Sequence, residues 1–208
     1  MYVPSHFAEH RVEALHEAIR HAGLGTLVTM ESAGLGATHI PMLLEDEPRP
    51  LGRLLGHVAR ANAQWRSAQP GSAAVAIFLG PNAYVTPSWY ATKRETGRVV
   101  PTWDYVAVHA HGTVRFFEER EELLKVVSRL TDLHERTRPH PWKVADAPPD
   151  YLETLLKGIV GVELTITRLE GQWKASQNKV DADRRGVEAG LRDEGNGAMA
   201  DLVRERGP

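Results

Sequence analysis

The 208-residue sequence contains no cysteine. Disulfide bonds, thiolate metal sites and cysteine nucleophiles are therefore excluded, and the composition is typical of a reducing compartment. The sequence also has no apolar run near the ~20 residues that a membrane-spanning helix needs, and its N-terminal segment has no uninterrupted apolar core. We therefore expect a cytoplasmic protein that is neither exported nor inserted into a membrane.

An excess of charge of either sign is also missing. Lys and Arg together number 25 and Asp and Glu 27, which gives a formal net charge of −2. This balance provides no overall field that would attract nucleic acid, and the sequence has neither a helix-turn-helix signature nor a basic stripe. Glycine-rich dinucleotide and P-loop fingerprints are absent as well. Any contact with DNA would need a local patch of cations.

Hydrophobic periodicity predicts a few helices. Val12, Leu15 and Ile19 recur at helical spacing up to Gly23. The clearest helix lies within residues 119–137, where acidic residues open the segment and basic residues close it, as the helix dipole favours. The segment from Asp181 is charged and helical in pattern. Gly195 to Gly197 interrupt it, so we expect a broken or frayed helix there.

Strands account for more of the chain than helices. Apolar and alternating patterns predict strands over residues 25–30, 34–45, 73–80, 82–87, 105–116 and 160–167. Polar spacers predict turns at residues 31–34 and at Gly80–Pro81–Asn82. Six or more strands joined mostly by turns, with helices outside, indicate one antiparallel barrel, closed or nearly so, rather than a parallel doubly wound sheet.

Four polar and aromatic segments carry the candidate functional residues: 56–65, 87–93, 100–105 and 172–178. In the first, a strand is expected to lead into a helix, so His57, Arg60 and Asn62 fit either a phosphate site or a solvated helix start. The second fits the border of a planar heterocycle or an aromatic plug at a barrel end.

The third and fourth segments also allow two interpretations each. In the third, Trp103 would line the same cavity as the second segment or belong to the core. Amides and hydroxyls of the fourth would bond a ring system or cap the following helix. His109 and His111 share one strand face, but two histidines without a third ligand do not make a metal site, and we predict none.

The four segments occur in order as GHVARANAQW, GPNAYVTPSWY, VPTWDYVAVHAHG and WKASQN, and with them the chain resembles the PaiB family of negative transcriptional regulators. The opening MYVPSHF and the strands GLGATHIPMLL and IVGVELTITRLEG also match, so that the resemblance extends to about residue 190. The resemblance implies a mainly β (α+β) fold, the flavin mononucleotide (FMN) binding split barrel of pyridoxamine-phosphate-oxidase-like proteins, with peripheral helices. It also implies a homodimer with the flavin at the interface, a domain over residues 1–190 and a helical or frayed tail over 191–208.

Carried over to this sequence, the resemblance assigns residues to three parts of the flavin. His57, Arg60 and Asn62 would hold the phosphate, and Thr38, His39 and Ile40 would edge the ring. The flavin tail or its pyrimidine side would be reached by Ser88, Thr92 and Lys93, and from the partner chain by Ser176 and Gln177. Asp104 stands where the family usually has Asn, and a carboxylate facing the flavin would disfavour its anionic reduced form.

The family implies a transcriptional regulator, with flavin as its sensor. The alternative is an FMN-dependent oxidoreductase acting on a small molecule or a nicotinamide cofactor, because relatives of this fold often carry out such chemistry. A flavin-binding module without turnover is a third class, and haem is a minor alternative cofactor because some split barrels bind it. Acid–base or nucleophile constellations that would identify the oxidoreductase are not visible in the sequence.

Overall fold

In the computed structural model, residues 1–46, 50–69 and 71–207 are described. The strands among them are β1 (Ala8–Glu9), β2 (Leu24–Glu31), β3 (Gly34–Pro41), β4 (Leu43–Glu45), β5 (Arg53–Ala59), β6 (Ala73–Val85), β7 (Thr102–Phe117) and β8 (Ile159–Lys174). The helices are α1 (Val12–Ala22), α2 (Gln64–Ser67), α3 (Thr92–Thr96), α4 (Arg120–Glu135), α5 (Pro149–Lys157), α6 (Asp181–Asp193) and α7 (Gly197–Glu205). Among the described residues, no helix is both long and apolar enough to cross a membrane.

The strands form one sheet in the order β3-β2-β6-β7-β8-β5-β4, with β1 beside β8. Strand β2 pairs antiparallel with β3 and β6, and β5 pairs antiparallel with β4 and β8. The long strands β6, β7 and β8 run through both of two compact units. One unit comprises residues 1–15, 79–108 and 170 onward, and the other residues 16–78 and 109–169.

Each unit has its own apolar core. In the unit of residues 16–78 and 109–169, helix α4 buries Leu123, Val126 and Leu130 against Phe117 and Leu55. Phe117 reaches this core because Gly161 opposite it has no side chain, and a Cβ there would lie 2.2 Å from the ring. In the other unit, helices α6 and α7 bury apolar side chains around Tyr90 and Val85.

Periodicity predicted several elements correctly. Helix α1 covers the predicted range, and the strict alternation from Tyr105 lies inside β7, where Val106, Val108 and Ala110 are buried. Helix α4 lies within 119–137, and the interrupted C-terminal helix is the pair α6 and α7, separated near Gly195 at φ +80. The late strand is confirmed and extends to Lys174.

The turn predicted at Gly80–Pro81–Asn82 is wrong, because β6 continues through it. Gly80 lies close to β7, where a Cβ on Gly80 would be 3.1 Å from the Cβ of Val106, and Asn82 uses its amide nitrogen to bond the Gly80 carbonyl at 3.2 Å. The glycine here therefore permits close strand packing rather than a turn.

Two boundaries of the first hairpin also differ from the prediction. Glu31 and Gly34 are the last paired residues, so the turn contains only Ser32 and Ala33. The segment predicted as one strand over 34–45 is two strands, because β4 after Met42 pairs with β5 instead of with β2.

Candidate functional site

The predicted phosphate segment covers the end of β5 and leads into α2, as expected. Helix α2 has only four residues and begins at Gln64. The backbone N–H of Gln64 donates to the side-chain oxygen of Asn62 at 2.9 Å. A single turn provides little of the aligned backbone dipole that makes the start of a longer helix attractive to anions. A phosphate at this segment would therefore depend mainly on side chains.

Arg60 is held by bonds within its own unit. Its Nε donates to the Lys157 carbonyl at 2.6 Å, and one terminal nitrogen donates to the Ile159 carbonyl at 3.1 Å. The other terminal nitrogen forms an ion pair with Glu118. The guanidinium thus ties the end of β5 to the end of α5, and a phosphate at Arg60 would compete with the Glu118 carboxylate.

Asn62 is similarly engaged. Its amide nitrogen donates to the Thr38 hydroxyl at 2.9 Å, while its amide oxygen accepts from the Gln64 backbone. Gln64 is buried and donates to the Thr29 hydroxyl at 2.9 Å. These bonds fasten the loop after β5 to the β2–β3 hairpin, which is sufficient reason for an Asn at position 62.

His57 on β5 differs from its predicted partners. Its Nδ1 is buried and has no hydrogen-bond partner within the described residues. Burial lowers the pKa of His57, so the imidazole is neutral at neutral pH. A neutral ring suits a hydroxyl or carbonyl of a ligand better than it suits a phosphate charge.

The predicted ring-edge residues Thr38, His39 and Ile40 are consecutive on β3, so His39 points to the face opposite the other two. His39 is exposed and its Nδ1 bonds the Thr26 hydroxyl at 2.8 Å, whereas Ile40 is buried. A planar ring approaching from one face would therefore contact Thr38 and Ile40, or His39, but not all three side chains.

The second predicted segment lies in the other unit and contains a short 3-10 helix followed by α3. Lys93 at the start of α3 donates from Nζ to the Ser88 hydroxyl at 3.3 Å. Lys93, Arg94 and Arg98 are exposed, and within the described part of the chain none of them pairs with a carboxylate. The loop therefore presents cations and a hydroxyl outward, the combination that binds a phosphate.

Helix α6 holds this loop, a contact that the sequence reasoning missed. Asp183 accepts from the Thr92 backbone N–H at 2.9 Å and from the Thr92 hydroxyl at 2.8 Å. Trp89 packs against Gly190, where a Cβ would come within 2.2 Å of the indole. Thr92 is thus occupied by an internal partner 91 residues away, and no local sequence pattern connects the two.

Asp104 is fully buried and has partners of its own. The Ser176 hydroxyl donates to it at 2.6 Å, and the Lys174 ammonium lies 3.3 Å away. Burial raises the pKa of Asp104, although both partners act against that rise. Burial and the charge of Asp104 also raise the pKa of the neighbouring Tyr90 to about 12. The carboxylate that departs from the family pattern is therefore enclosed by its own unit.

The last predicted segment is partly strand, since Gln172, Trp173 and Lys174 belong to β8. Ser176 is buried at φ +56, and Gln177 closes the turn by accepting from the Ala175 N–H at 2.8 Å and donating to the Trp173 carbonyl. The capping interpretation is wrong, because α6 begins after Val180 without a side-chain cap.

These contacts test how well FMN fits. A phosphate needs cationic and hydroxyl donors that are not already paired, and the loop of Ser88 and Lys93 offers them. The residues of this loop therefore fit the phosphate of FMN, with Lys93 rather than Arg60 as the cation that is free of a carboxylate.

Comparisons with known proteins agree with this chemistry. A family model described as a putative FMN-binding domain matches residues 1–168. Protease synthase and sporulation protein PAI 2 of Bacillus subtilis is 31% identical over 209 residues, which cover 99% of this chain and 98% of that protein.

Two solved structures have a similar fold. The conserved hypothetical protein Rv2991 from Mycobacterium tuberculosis aligns with 84% of this chain and 91% of its own at a TM-score of 0.56 and 13% identity. The FAD and haem binding protein from Mycobacterium smegmatis aligns with 80% of this chain and 73% of its own, at a TM-score of 0.57 and 14% identity. The predicted fold class, a mainly β split barrel with peripheral helices, is confirmed.

The burial of Asp104 predicts a pH dependence. Because its pKa is raised in the folded chain, the folded state holds this proton more tightly than the unfolded state does. Its stabilising contribution is complete below the ordinary carboxyl pKa of 3.8 and is lost as the pH rises through the raised value. We expect Asp104→Asn to remove this contribution, so that the free energy of unfolding of the variant rises relative to that of the wild type as the pH increases above about 4.

Urea unfolding at several pH values measures this difference. The exposed Asp193 provides the control, since Asp193→Asn should keep the wild-type dependence. Parallel pH profiles for Asp104→Asn and the wild type would contradict the prediction.

Proposed function

This chain is a PaiB-type member of the family of putative FMN-binding domains, and from that premise we propose that it binds FMN through the loop of Ser88 and Lys93 and acts as a flavin-responsive regulator. When bound, FMN supplies a redox-active ring that accepts or donates electrons. The protein's part is to bind and orient that group. The chemistry of the loop supports the proposal more directly than any other feature of the chain.

The observation that carries the proposal is the state of Lys93. Its ammonium contacts the neutral Ser88 hydroxyl at 3.3 Å, and the side chain is exposed. Arg94 and Arg98 lie in the same exposed segment. A flavin phosphate would receive charge-assisted hydrogen bonds from this loop without displacing an internal ion pair.

The other predicted contacts have different roles in the proposal. His57 carries a neutral ring, whereas Arg60 and Asn62 act first as ties within their unit. Thr92 orients the loop through its bond to Asp183 rather than facing a ligand. The side chains of Ser176 and Gln177 already bond Asp104 and the Trp173 carbonyl. From a partner chain, these two residues would therefore contact the flavin mainly through their backbone.

Exposed aromatic side chains support the proposal that two copies associate with flavin at their interface. Trp103 and Tyr84 are each about half exposed, and their rings lie 6.1 Å apart. Large exposed aromatic groups often mark association surfaces. We expect light scattering to give twice the 23.1 kDa chain mass, and Trp103→Ser to shift the protein toward the monomer. A monomeric wild type, with or without FMN, would contradict this part.

FMN binding itself is tested by flavin fluorescence anisotropy. Lys93→Gln should weaken FMN binding by at least about tenfold, since a hydrogen bond to a charged group contributes ~1.5–3 kcal/mol. Riboflavin, which lacks the phosphate, should bind the wild type and Lys93→Gln equally. Lys125→Gln removes an exposed cation on α4 and serves as the matched control.

Two results would contradict the FMN proposal. The first is a wild type that binds no FMN, and the second is Lys93→Gln with wild-type affinity. An absorption spectrum of the same samples separates the cofactors, because flavin gives two broad bands and haem gives one sharp and much more intense band. A haem band in place of flavin bands would make haem the cofactor.

Regulation requires contact with DNA or with another regulator. Since the net charge is −2, DNA contact would come from a local group of cations such as Lys93, Arg94 and Arg98. We expect the protein to be retained on DNA at low salt, and the logarithm of its affinity to fall linearly with the logarithm of the salt concentration. No retention at low ionic strength would exclude direct DNA binding.

A further inference from the structure

We propose that helix α6 is the positioning element for the loop of Ser88 and Lys93, and that Asp183 on α6 is its positioning residue. The proposal rests on the proposed FMN site for its functional meaning, but the mechanical coupling between α6 and the loop can be measured without any flavin. It assigns a function to a C-terminal segment that lies beyond the matched residues 1–168.

The loop cannot organise its own helix. Helix α3 has only five residues, and short helices are unstable in isolation. Ala91 stands at its N-cap and has no side chain that can accept a hydrogen bond from the first N–H groups. The helix start therefore lacks the local cap that Ser, Thr, Asp or Asn would give.

Asp183 supplies the missing cap from another part of the chain. It is 5% exposed, and its two carboxylate oxygens accept separately from the Thr92 N–H at 2.9 Å and the Thr92 hydroxyl at 2.8 Å. A buried carboxylate without these bonds would be costly, so both partners hold each other in place.

A second contact fixes the preceding residues. A Cβ at Gly186 would lie 2.0 Å from the Trp89 carbonyl oxygen, and one at Gly190 would lie 2.2 Å from the Trp89 indole. The two glycines, one helical turn apart, thus let the loop backbone and the Trp89 ring lie directly on α6. Because Ser88 precedes Trp89 and Lys93 follows Thr92, both proposed phosphate donors are adjacent to residues that α6 holds.

The inference has a functional consequence. Changes in α6 should alter the affinity for FMN without touching the flavin, because they change how often Ser88 and Lys93 are in place. Asp183 is therefore expected to act on binding through Thr92 rather than by contact with the ligand.

Limited trypsin digestion of the full chain tests the coupling. Trypsin cleaves after Lys93, Arg94 and Arg98, which are exposed but must leave their fixed backbone conformation to enter the protease. Asp183→Ala should raise the initial rate of cleavage at these sites by about tenfold, as expected for losing charge-assisted hydrogen bonds. Asp183→Asn, which can still accept from the N–H and donate to the hydroxyl, should stay close to the wild type.

Further variants identify the interaction. Thr92→Val removes one of the two bonds with little change in volume and should give a smaller increase. The double variant with Asp183→Ala should cleave no faster than Asp183→Ala alone, because the same bond is lost. Asp193→Ala, an exposed residue on the same helix, should cleave like the wild type.

Three outcomes would overturn the inference: wild-type cleavage in Asp183→Ala, equal acceleration after Lys125 on α4, or additive effects of Thr92→Val and Asp183→Ala. FMN titration of the same variants gives the functional arm, in which Asp183→Ala should weaken FMN binding and Asp183→Asn should restore it. If the wild type binds no FMN, the proposed function fails, while the digestion still decides whether α6 holds the loop.

Discussion

The structure of the candidate phosphate loop depends on the bonds of one buried carboxylate. Asp183 is removed from water, and a carboxylate in that position must be hydrogen-bonded to be tolerated. Both of its partners are on Thr92, so the need to satisfy the charge fixes the start of α3. Lys93 follows directly, and its orientation is set by a helix far along the chain. Loss of those bonds would loosen the start of α3, and with it the position of Lys93.

Hydrogen-bond partners also distinguish the side chains that can bind a ligand from those that hold the fold together. Arg60, Asn62 and Asp104 are polar residues in distinctive segments, but each is paired inside its own unit. Pairing makes them parts of the scaffold before they are available to a ligand. Lys93 has only a hydroxyl as partner, and His57 has a ring nitrogen without one among the described residues. Of these side chains, the exposed Lys93 is the one that a phosphate can reach without breaking an ion pair.

The sequence was most informative where one face of an element is buried. The alternation in β7 and the helical spacing in α4 identified both elements, because periodic burial is recorded in the local pattern. It misled at Gly80–Asn82, where glycine and proline indicate a turn but glycine serves close packing against Val106. Local pattern does not distinguish these two uses of glycine.

The candidate site was predictable in part. Motif order identified the family and the segments, and Ser88 and Lys93 were among the predicted contacts. The pairing of Thr92 with Asp183 and of Arg60 with Glu118 was not predictable, because each joins residues far apart in the chain. The burial that neutralises His57 likewise comes from tertiary packing.

A crystal structure of the protein with FMN would test the account most directly, because it locates the phosphate. We predict that the phosphate accepts hydrogen bonds from the Lys93 ammonium and the Ser88 hydroxyl, while Arg60 stays paired with Glu118 and Thr92 with Asp183. A phosphate bound to Arg60 in place of Glu118, with Lys93 free in solvent, would contradict the account.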